Sequence, residues 1–303
     1  MIMKNLPDMQ KSTEGFAKIP INKVGVRNIK IPMNVLTKQQ TTQTCLVSVS
    51  SYCNLVEDIK GINMSRISRT LLEGLSDSKN GIYDLSCFAY RLQQAHQTDD
   101  VYIKARFDYL IYKESPVTKI GFQEPVEIVF ESTLSGTNLK NFLTVKVAGM
   151  SLCPCSKTMS MLKHVLNEED VQEISSKISL ELQDKIWEAG FGAHNQLSVV
   201  EVKVELGSDF VNKLWIEDVV SIADRSFSSP VFSVLKREDE KWVTETSYRR
   251  PFFVEDIVRN VAAELNMYLD RSISDYVVVC NNHESIHNGM LATAILTAGR
   301  FLK

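Results

Sequence analysis

The sequence has no long apolar run, no excess of charge of one sign and few cysteines. No apolar stretch approaches the ~20 residues that a membrane-spanning helix requires, and the first residues, MIMKNLPDMQ, contain no apolar segment typical of a secretory signal. With 34 basic and 37 acidic residues, the net charge of −3 offers no electrostatic basis for binding nucleic acid or an anionic membrane. These absences favour a cytoplasmic protein that binds neither nucleic acid nor a membrane.

The cysteines do not indicate a disulfide framework, because there are only 6 in 303 residues and no secretory signal accompanies them. Four of them lie in apolar strand or helix patterns, where a cysteine usually serves as a small buried hydrophobe: Cys45, Cys53, Cys87 and Cys280. The other two, Cys153 and Cys155, lie in the polar segment SLCPCSK (151–157) and are candidates for chemistry.

The chain is long enough, and at 44% hydrophobic residues apolar enough, to bury a sizeable core. Hydrophobic periodicity predicts a similar order of elements twice. An irregular arm at 1–20 precedes a first unit at 21–136, with strands at 42–54, 101–112 and 124–134 and helices at 64–75 and 82–96. A second unit at 137–303 has strands at 140–150, 196–206, 275–280 and 291–298, helices at 213–225 and 252–269, and a helical insertion at about 157–189. This order indicates an α+β fold with antiparallel sheets and helices on one face.

Two short segments supply soft and borderline metal ligands. Pro154 favours extended geometry around Cys153, so that Cys153 and Cys155, two residues apart, face the same way. Thiolates suit Zn²⁺ and similar ions. His194 lies in GFGAHNQ (190–196), a glycine-containing turn from which a histidine is well placed to bind a metal. Taken singly, the first segment is equally consistent with a strand end that contains incidental cysteines. The second is equally consistent with an exposed loop histidine.

Carboxylates and a second histidine occur in three later segments. The mixed charge run KREDEK (236–241) predicts a solvated loop, one carboxylate of which could complete a metal site. Glu255 lies in the first turn of a predicted helix, where acidic residues are also common because they favour the helix dipole. Glu284 and His287 would share one side of a single helical turn, or lie in a polar loop. Together these groups are typical of metal-assisted hydrolysis.

At these segments the sequence resembles the type IB GTP cyclohydrolases. The matching motifs occur in the same order: SLCPCSK (151–157), GAHNQ (192–196), SSPVF (228–232), KREDEKWVTE (236–245), RPFFVEDIVR (250–259) and ESIHN (284–288). The resemblance implies a tunnelling fold of two tandem ββααββ-like units, and a homotetramer with active sites at subunit interfaces. It also implies the conversion of GTP and water to 7,8-dihydroneopterin triphosphate and formate, the first step of folate and pterin biosynthesis.

The same resemblance implies roles for particular residues. The ligands of a divalent Zn, Mn or Fe ion would be Cys153, His194 and Glu240. Glu255 would bind the guanine, because a carboxylate presents two acceptors to the adjacent N1–H and 2-amino donors. Proton transfer would fall to Cys155, Glu284 and His287. The choice of triphosphate-binding residue stays open among Lys157, Lys236, Arg237 and Arg66.

The sequence departs from the family pattern at three positions and in one length. Asn63 stands where a histidine is expected, and Leu197 stands where a basic residue is expected. Asn288 begins an unusual end to the last motif, and the segment from Cys155 to His194 is longer than expected. Three other functions stay open. They are an archaeal-type cyclohydrolase that releases a cyclic phosphate, a tunnelling-fold nitrile reductase with a cysteine nucleophile and NADPH, and a metal- or nucleotide-binding protein without catalysis.

Overall fold

A computed structural model describes residues 10, 15–76, 85–207 and 214–299. Within these ranges the chain forms one antiparallel sheet of nine strands. The strands are β1 (Ile21–Leu36), β2 (Thr42–Leu55), β3 (Asp100–Glu114), β4 (Gly121–Ser135), β5 (Asn138–Leu152), β6 (Asn195–Leu206), β7 (Ser229–Pro230), β8 (Ile273–His283) and β9 (Leu291–Thr297). Their order is β1-β2-β3-β4-β5-β6-β8-β9, with the short β7 paired to β5.

Nine helices occur in the described part of the chain. They are α1 (Met64–Ser76), α2 (Leu85–His96), α3 (Pro154–Ser160), α4 (Leu162–Val165), α5 (Glu168–Lys177), α6 (Leu180–Glu188), α7 (Ile216–Ser226), α8 (Arg237–Arg249) and α9 (Val254–Leu265). None of the helices in these described ranges is both long and apolar enough to cross a membrane.

The core lies between one face of the sheet and the helices. Strand β3 shows why, since its alternate residues Ile103, Ala105 and Phe107 are buried while Lys104 and Arg106 between them are exposed. Helices α1 and α2 cover β1 to β4, and α7 and α9 cover β5, β8 and β9. The sequence prediction of an α+β fold with antiparallel strands and helices on one face is therefore confirmed.

Strand β1 was not predicted from the sequence. Only its second half alternates, with Ile31, Met33 and Val35 buried, and two register shifts against β2 interrupt its first half. A period of two is therefore visible over only a few residues. With β1, the first unit has the element order ββααββ. Residues 82–84 and 213, at the ends of two predicted helices, lie outside the described residues, as does most of the predicted N-terminal arm.

The predicted solvated loop at 236–241 is wrong, because helix α8 begins there. Asp239 is buried and accepts hydrogen bonds from the backbone N–H of Lys236 at 3.0 Å, Val117 at 2.8 Å and Thr118 at 2.9 Å. Burial alone would raise the pKa of Asp239, but these bonds and the Thr118 hydroxyl hold the pKa of that carboxyl below its usual range. The buried carboxylate caps α8 and attaches it to the turn between β3 and β4.

The predicted helical insertion contains four short helices, α3 to α6. Its two ends are joined at a narrow base, where the Leu162 N–H donates to the Ala189 carbonyl at 2.9 Å and the Phe191 N–H to the Ser160 carbonyl at 3.2 Å. The insertion therefore departs from the end of β5 and returns close to the start of β6.

The predicted division between the two units, at 136/137, falls in the turn from β4 to β5 and stays a prediction.

Three of the four cysteines predicted to be buried are buried: Cys45, Cys53 and Cys280. Burial raises the pKa of the Cys53 thiol to about 11 and that of Cys280 to about 12. The prediction is wrong for Cys87, which is exposed on α2. Helix α2 buries Leu85, Phe88, Ala89 and Leu92 instead, so Cys87 lies off the apolar face.

Candidate active site

Five of the seven predicted site residues line one cleft of about 320 Å³: Cys153, His194, Glu255, Glu284 and His287. The cleft lies where β5 ends, β6 begins, α9 begins and the loop between β8 and β9 turns. Its volume falls in the usual range for small-molecule sites, which is roughly 300–1,000 Å³. Residues from four separate segments therefore converge, which the sequence alone could not show.

Strand pairing brings Cys153 and His194 together. Strands β5 and β6 are antiparallel and pair Leu152 with Asn195, so the next residue on β5 and the preceding residue on β6 are neighbours. The Cys153 N–H donates to the His194 carbonyl at 3.1 Å. Cys153 is also the extended N-cap residue of α3, where its Sγ accepts a hydrogen bond from the Ser156 N–H at 3.4 Å. The thiol and the imidazole are thus held at one end of the sheet.

A buried polar chain supports this end of the cleft, and Gln196 is its central member. Gln196 is only 5% exposed, and its Nε2 lies 2.8 Å from His194 Nδ1 and 3.2 Å from Glu284 Oε2. Its Oε1 accepts from the Ser151 hydroxyl at 2.9 Å, and that hydroxyl accepts from Asn282 Nδ2 at 2.9 Å. Ser151 and Asn282 are buried as well.

The hydrogen bonds fix the direction of the Gln196 amide. An ionised carboxylate only accepts hydrogen bonds, so the amide nitrogen has to face Glu284. The same nitrogen faces His194 Nδ1, which is therefore an acceptor. Neutral His194 then carries its proton on Nε2, and Nε2 is the ring nitrogen left to a ligand.

The role of Gln196 was not predicted from the sequence, although a signal was present. Along β6 the buried positions alternate from Gln196 through Ser198 to Val200 and Val202. Two polar residues therefore occupy the buried face at the start of an otherwise apolar strand. Such residues need hydrogen-bond partners, which marks this end of the strand as a candidate site.

Glu255 lies in the first turn of α9, on another wall of the cleft. The helix begins after Phe253, whose N–H donates to the Asp256 carboxylate at 3.0 Å. Asp256 thus serves as the capping carboxylate and leaves the exposed Glu255 carboxylate to the cleft. Apolar side chains complete the walls: Phe252, Phe253, Val254, Ile286, Met290 and Ala292. A carboxylate between apolar walls suits a planar heterocycle with adjacent N–H donors.

Glu284 and His287 lie in an irregular loop, so the single helical turn considered for them is wrong. Strands β8 and β9 pair from His283 to Leu291, and the intervening residues reverse the chain direction instead of forming a helix. The Glu284 N–H donates to the Met290 carbonyl at 3.1 Å and closes the loop. Both side chains nevertheless line the cleft.

Cys155 and Glu240 do not line the cleft. Cys155 is exposed in the first turn of α3, and Glu240 is exposed in the first turn of α8. Among the residues that the structure describes, no three His, Cys, Asp or Glu side chains are grouped so that they could hold a metal ion. The thiol of Cys153 and the imidazole of His194 fit a divalent transition metal by their chemistry, whereas the predicted third ligand stands apart.

The four basic residues considered for triphosphate binding also lie outside this cleft. Lys157 Nζ lies 4.6 Å from the centre of the Tyr248 ring, Lys236 is the residue before α8, and Arg237 begins that helix. Arg66 lines a separate cleft of about 270 Å³ beside α1 and α2.

The fold belongs to the tunnelling-fold class. Urate oxidase from Bacillus sp. TB-90 superposes with a TM-score of 0.52 at 7% sequence identity, covering 91% of this chain and 99% of the urate oxidase. A highly active mutant of the same enzyme gives a TM-score of 0.51 at 8% identity and covers 91% of this chain and 99% of the mutant. Identities this low show the fold alone.

The sequence places the chain in a family within that class. The model of the family described as type I GTP cyclohydrolase folE2 matches residues 6–291. GTP cyclohydrolase FolE2 of Dictyoglomus turgidum is 34% identical over 288 residues, which cover 93% of this chain and 95% of that protein. The FolE2 protein of Magnetococcus marinus is 35% identical over 283 residues, covering 93% and 92%. The chain belongs to the type I GTP cyclohydrolase FolE2 family.

Proposed function

We propose that this protein is a GTP cyclohydrolase that converts GTP and water to 7,8-dihydroneopterin triphosphate and formate in folate biosynthesis. The observation that carries the proposal is the convergence of Cys153, His194, Glu255, Glu284 and His287 in one cleft of a chain from this family. The narrower assignment to the type IB group, a homotetramer and a cytoplasmic location belong to the same proposal.

Glu255 and the apolar walls bind the guanine in this proposal. The two carboxylate oxygens of Glu255 accept from the N1–H and 2-amino groups, which are adjacent donors in guanine. Phe252, Phe253 and Ile286 provide apolar surface for the faces of the ring. Adenine has no such pair of donors, so the same cleft discriminates against ATP.

Cys153 and His194 are the proposed ligands of a divalent cation, with Glu240 as the third. Zn²⁺, Mn²⁺ or Fe²⁺ bound there would supply the Lewis acidity that lowers the pKa of a water molecule for attack at C8 of guanine. Helix α8 carries Glu240 in its first turn, and the buried Asp239 beside it fixes where that turn begins. Glu240 therefore needs a change of rotamer or helix position to join the other two ligands.

Glu284 and His287 are the proposed proton-transfer groups, with Cys155 as a further candidate. Ring opening and loss of formate require protons to be delivered to purine nitrogens and removed from water. Glu284 is already held in the cleft by Gln196, and His287 follows on the same loop. Cys155 reaches the reacting atoms only if α3 turns its exposed side toward the cleft.

The decisive experiment is product analysis with and without metal. Purified protein is incubated with GTP after treatment with a chelator, then with Mn²⁺ or Zn²⁺ restored, and the products are identified by mass. Dihydroneopterin triphosphate and formate should form only with metal. Cys153→Ala should abolish their formation, whereas Cys87→Ala, an exposed cysteine on α2, should leave it unchanged.

The other outcomes identify the alternatives. A cyclic phosphate product would indicate the archaeal-type reaction, and oxidation of NADPH with a nitrile substrate would indicate the reductase. GTP that stays intact with each metal would overturn the proposed function. For the metal site, Glu240→Gln should weaken Mn²⁺ binding by at least about 10-fold, while Glu238→Gln in the same turn of α8 should not; equal affinities would remove Glu240 from the ligand set.

A further inference from the structure

Among the residues that the structure describes, Gln196 is the one side chain with hydrogen bonds to both His194 and Glu284, and the proposed function assigns it no role. It is buried, and its amide nitrogen donates hydrogen bonds to His194 Nδ1 at 2.8 Å and to Glu284 Oε2 at 3.2 Å. A residue in this place can transmit a change at the imidazole to the carboxylate. In the proposed function, on which this role of Gln196 rests, His194 binds metal and Glu284 transfers protons.

Metal binding at His194 conflicts with the hydrogen bond that the structure shows. Gln196 occupies Nδ1, so a cation would bind at Nε2, where neutral His194 carries its proton. The bound imidazole then carries its proton on Nδ1 and donates from there, as metal-bound histidines almost always do. Two donors would face each other unless Gln196 turns its carbonyl oxygen toward His194.

The rest of the buried chain accommodates the reversed amide. The Ser151 hydroxyl now donates to Gln196 Oε1 and accepts from Asn282 Nδ2. A hydroxyl oxygen accepts two hydrogen bonds and its proton rotates freely, so Ser151 can accept from the Gln196 nitrogen instead. Glu284 has no such freedom, because a carboxylate facing the Gln196 oxygen loses its donor.

We propose that Gln196 is a positioning residue whose amide reverses when metal binds His194, so that metal loading releases the carboxylate of Glu284 for proton transfer. Without metal, Gln196 holds Glu284 against the wall of the cleft. With metal, the same side chain orients His194 and leaves Glu284 free to face the substrate. Metal binding and the availability of the proton-transfer group are thereby coupled.

A double-mutant cycle on Zn²⁺ affinity tests the coupling without any substrate. Glu284→Gln changes the charge near the metal equally in the wild-type protein and in Gln196→Met. In contrast, Glu284 and metal-bound His194 compete for the Gln196 amide only when Gln196 is present. The cycle compares the effect of Glu284→Gln on the Zn²⁺ dissociation constant in the wild-type protein and in Gln196→Met. Non-additivity of at least about threefold is expected, with Glu284→Gln more favourable to Zn²⁺ in the wild-type background.

Nitrogen NMR of the histidine rings gives an independent readout of the tautomer. His194 is one of 5 histidines, and His194→Gln assigns its signals. At alkaline pH the metal-free protein should show the Nε2–H tautomer of His194, and addition of Zn²⁺ should convert it to the Nδ1–H form. Metal-free Gln196→Met should show a mixture, because the donor that selects the tautomer is gone.

Ser198→Ala is the matched control. Ser198 is buried on the same face of β6, and its hydroxyl has no hydrogen-bond partner within the described part of the chain. In Ser198→Ala the Zn²⁺ affinity should therefore stay within about twofold of the wild type. The His194 tautomer should be unchanged. Thermal unfolding of each variant shows that Gln196→Met is folded under the conditions of the assay.

Three results would overturn the coupling: additive effects of the two substitutions, a metal-free His194 in the Nδ1–H form, or no Zn²⁺ binding by the wild-type protein. Failure of the proposed function is distinguishable from these. A protein that leaves GTP intact but shows the non-additive cycle retains the coupling and loses only the cyclohydrolase assignment.

Discussion

In the proposed function, Glu255 decides which purine the cleft accepts. Glu255→Gln replaces one of two acceptors by a donor, so one hydrogen bond to guanine is lost and an N–H group faces another N–H group. Hydrogen bonds to charged groups contribute about 1.5–3 kcal/mol, so kcat/KM for GTP should fall roughly 10- to 100-fold in steady-state assays.

Glu264→Gln is the control for the Glu255 substitution, because Glu264 lies at the other end of the same helix in an ion pair with Arg225. Its kcat/KM should stay within about twofold of the wild type, since surface ion pairs contribute little. An unchanged kcat/KM for Glu255→Gln would show that Glu255 does not bind the base.

At the scale of single residues, the sequence predicted those side chains that carry a distinctive chemistry. Cys153, His194, Glu255, Glu284 and His287 were named from motifs, and the structure brings them to one cleft. The role of Gln196 was not predicted, because a side-chain amide carries no distinctive chemistry. Its importance comes from which buried atoms it touches, and that depends on three strands meeting at one end of the sheet.

At the scale of elements, helices with strong hydrophobic periodicity were predicted from the sequence, whereas a helix that depends on a distant capping contact was not. Helix α9 was predicted because its apolar residues recur at helical spacing, and its core positions Ile257, Val261 and Leu265 are buried. Helix α8 was missed because its residues are mostly polar and its start depends on Asp239, which accepts hydrogen bonds from the distant turn between β3 and β4. A tertiary contact of this kind has no local sequence pattern.

Strand β5 and helix α7 make a close contact at Gly149 that yields a stability prediction. A Cβ at Gly149 would lie 2.1 Å from Cδ2 of the buried Phe227, the residue after α7. Gly149→Ala therefore forces the ring or the strand to move, which should lower the free energy of unfolding by about 1–3 kcal/mol. Urea denaturation measures the loss.

Phe227→Leu supplies the second arm of that test. If the Phe227 ring causes the strain, Phe227→Leu should cost less stability in the Gly149→Ala protein than in the wild type, because the smaller side chain relieves the contact. Equal costs in the two backgrounds would show that the added methyl group is accommodated elsewhere.

At the scale of the whole molecule, Glu131 links the two halves of the sheet on the face opposite the one that α1, α2, α7 and α9 cover. Its carboxylate lies 2.8 Å from Lys203 Nζ on β6 and 3.4 Å from Lys104 Nζ on β3, and it accepts a hydrogen bond from Tyr102. Burial alone would raise the pKa of Glu131, but the hydrogen bonds and positive charges outweigh it and lower the pKa to about 2.

The lowered pKa predicts how stability depends on pH. The carboxyl of Glu131 has its ordinary pKa of 4.5 in the unfolded chain, so its contribution is complete above that pH and is lost as the pH falls toward 2. Glu131→Gln should lower the free energy of unfolding by about 2 kcal/mol at neutral pH, and the difference from the wild type should shrink on acidification.

Urea denaturation at neutral and acidic pH checks the Glu131 prediction. Glu205→Gln is its control, because the Glu205 pair with Lys140, at 3.3 Å, includes a half-exposed lysine and should contribute less than about 1 kcal/mol. A stability difference for Glu131→Gln that is the same at both pH values would contradict the assignment of the effect to ionisation.

The two ends of the sheet provide the physical basis for the proposed assembly. Strands β1 and β9 are the outermost strands in the described part of the chain, so each presents one row of backbone groups to a partner. On β9, the large apolar side chain of Ile295 is 66% exposed beside this open edge. Pairing of such edges between copies would bury both features.

Ile295→Lys should therefore shift the protein from the proposed tetramer to smaller species in native mass spectrometry, because the lysine charge opposes burial at the edge. Leu180→Lys is the control, since Leu180 is 79% exposed on the insertion, which joins β5 to β6 and not to either edge strand. If active sites lie between subunits, specific activity of Ile295→Lys should also fall on dilution more steeply than that of the wild type. A tetramer that survives Ile295→Lys would exclude β9 from the interface, and a wild-type monomer would overturn the assembly.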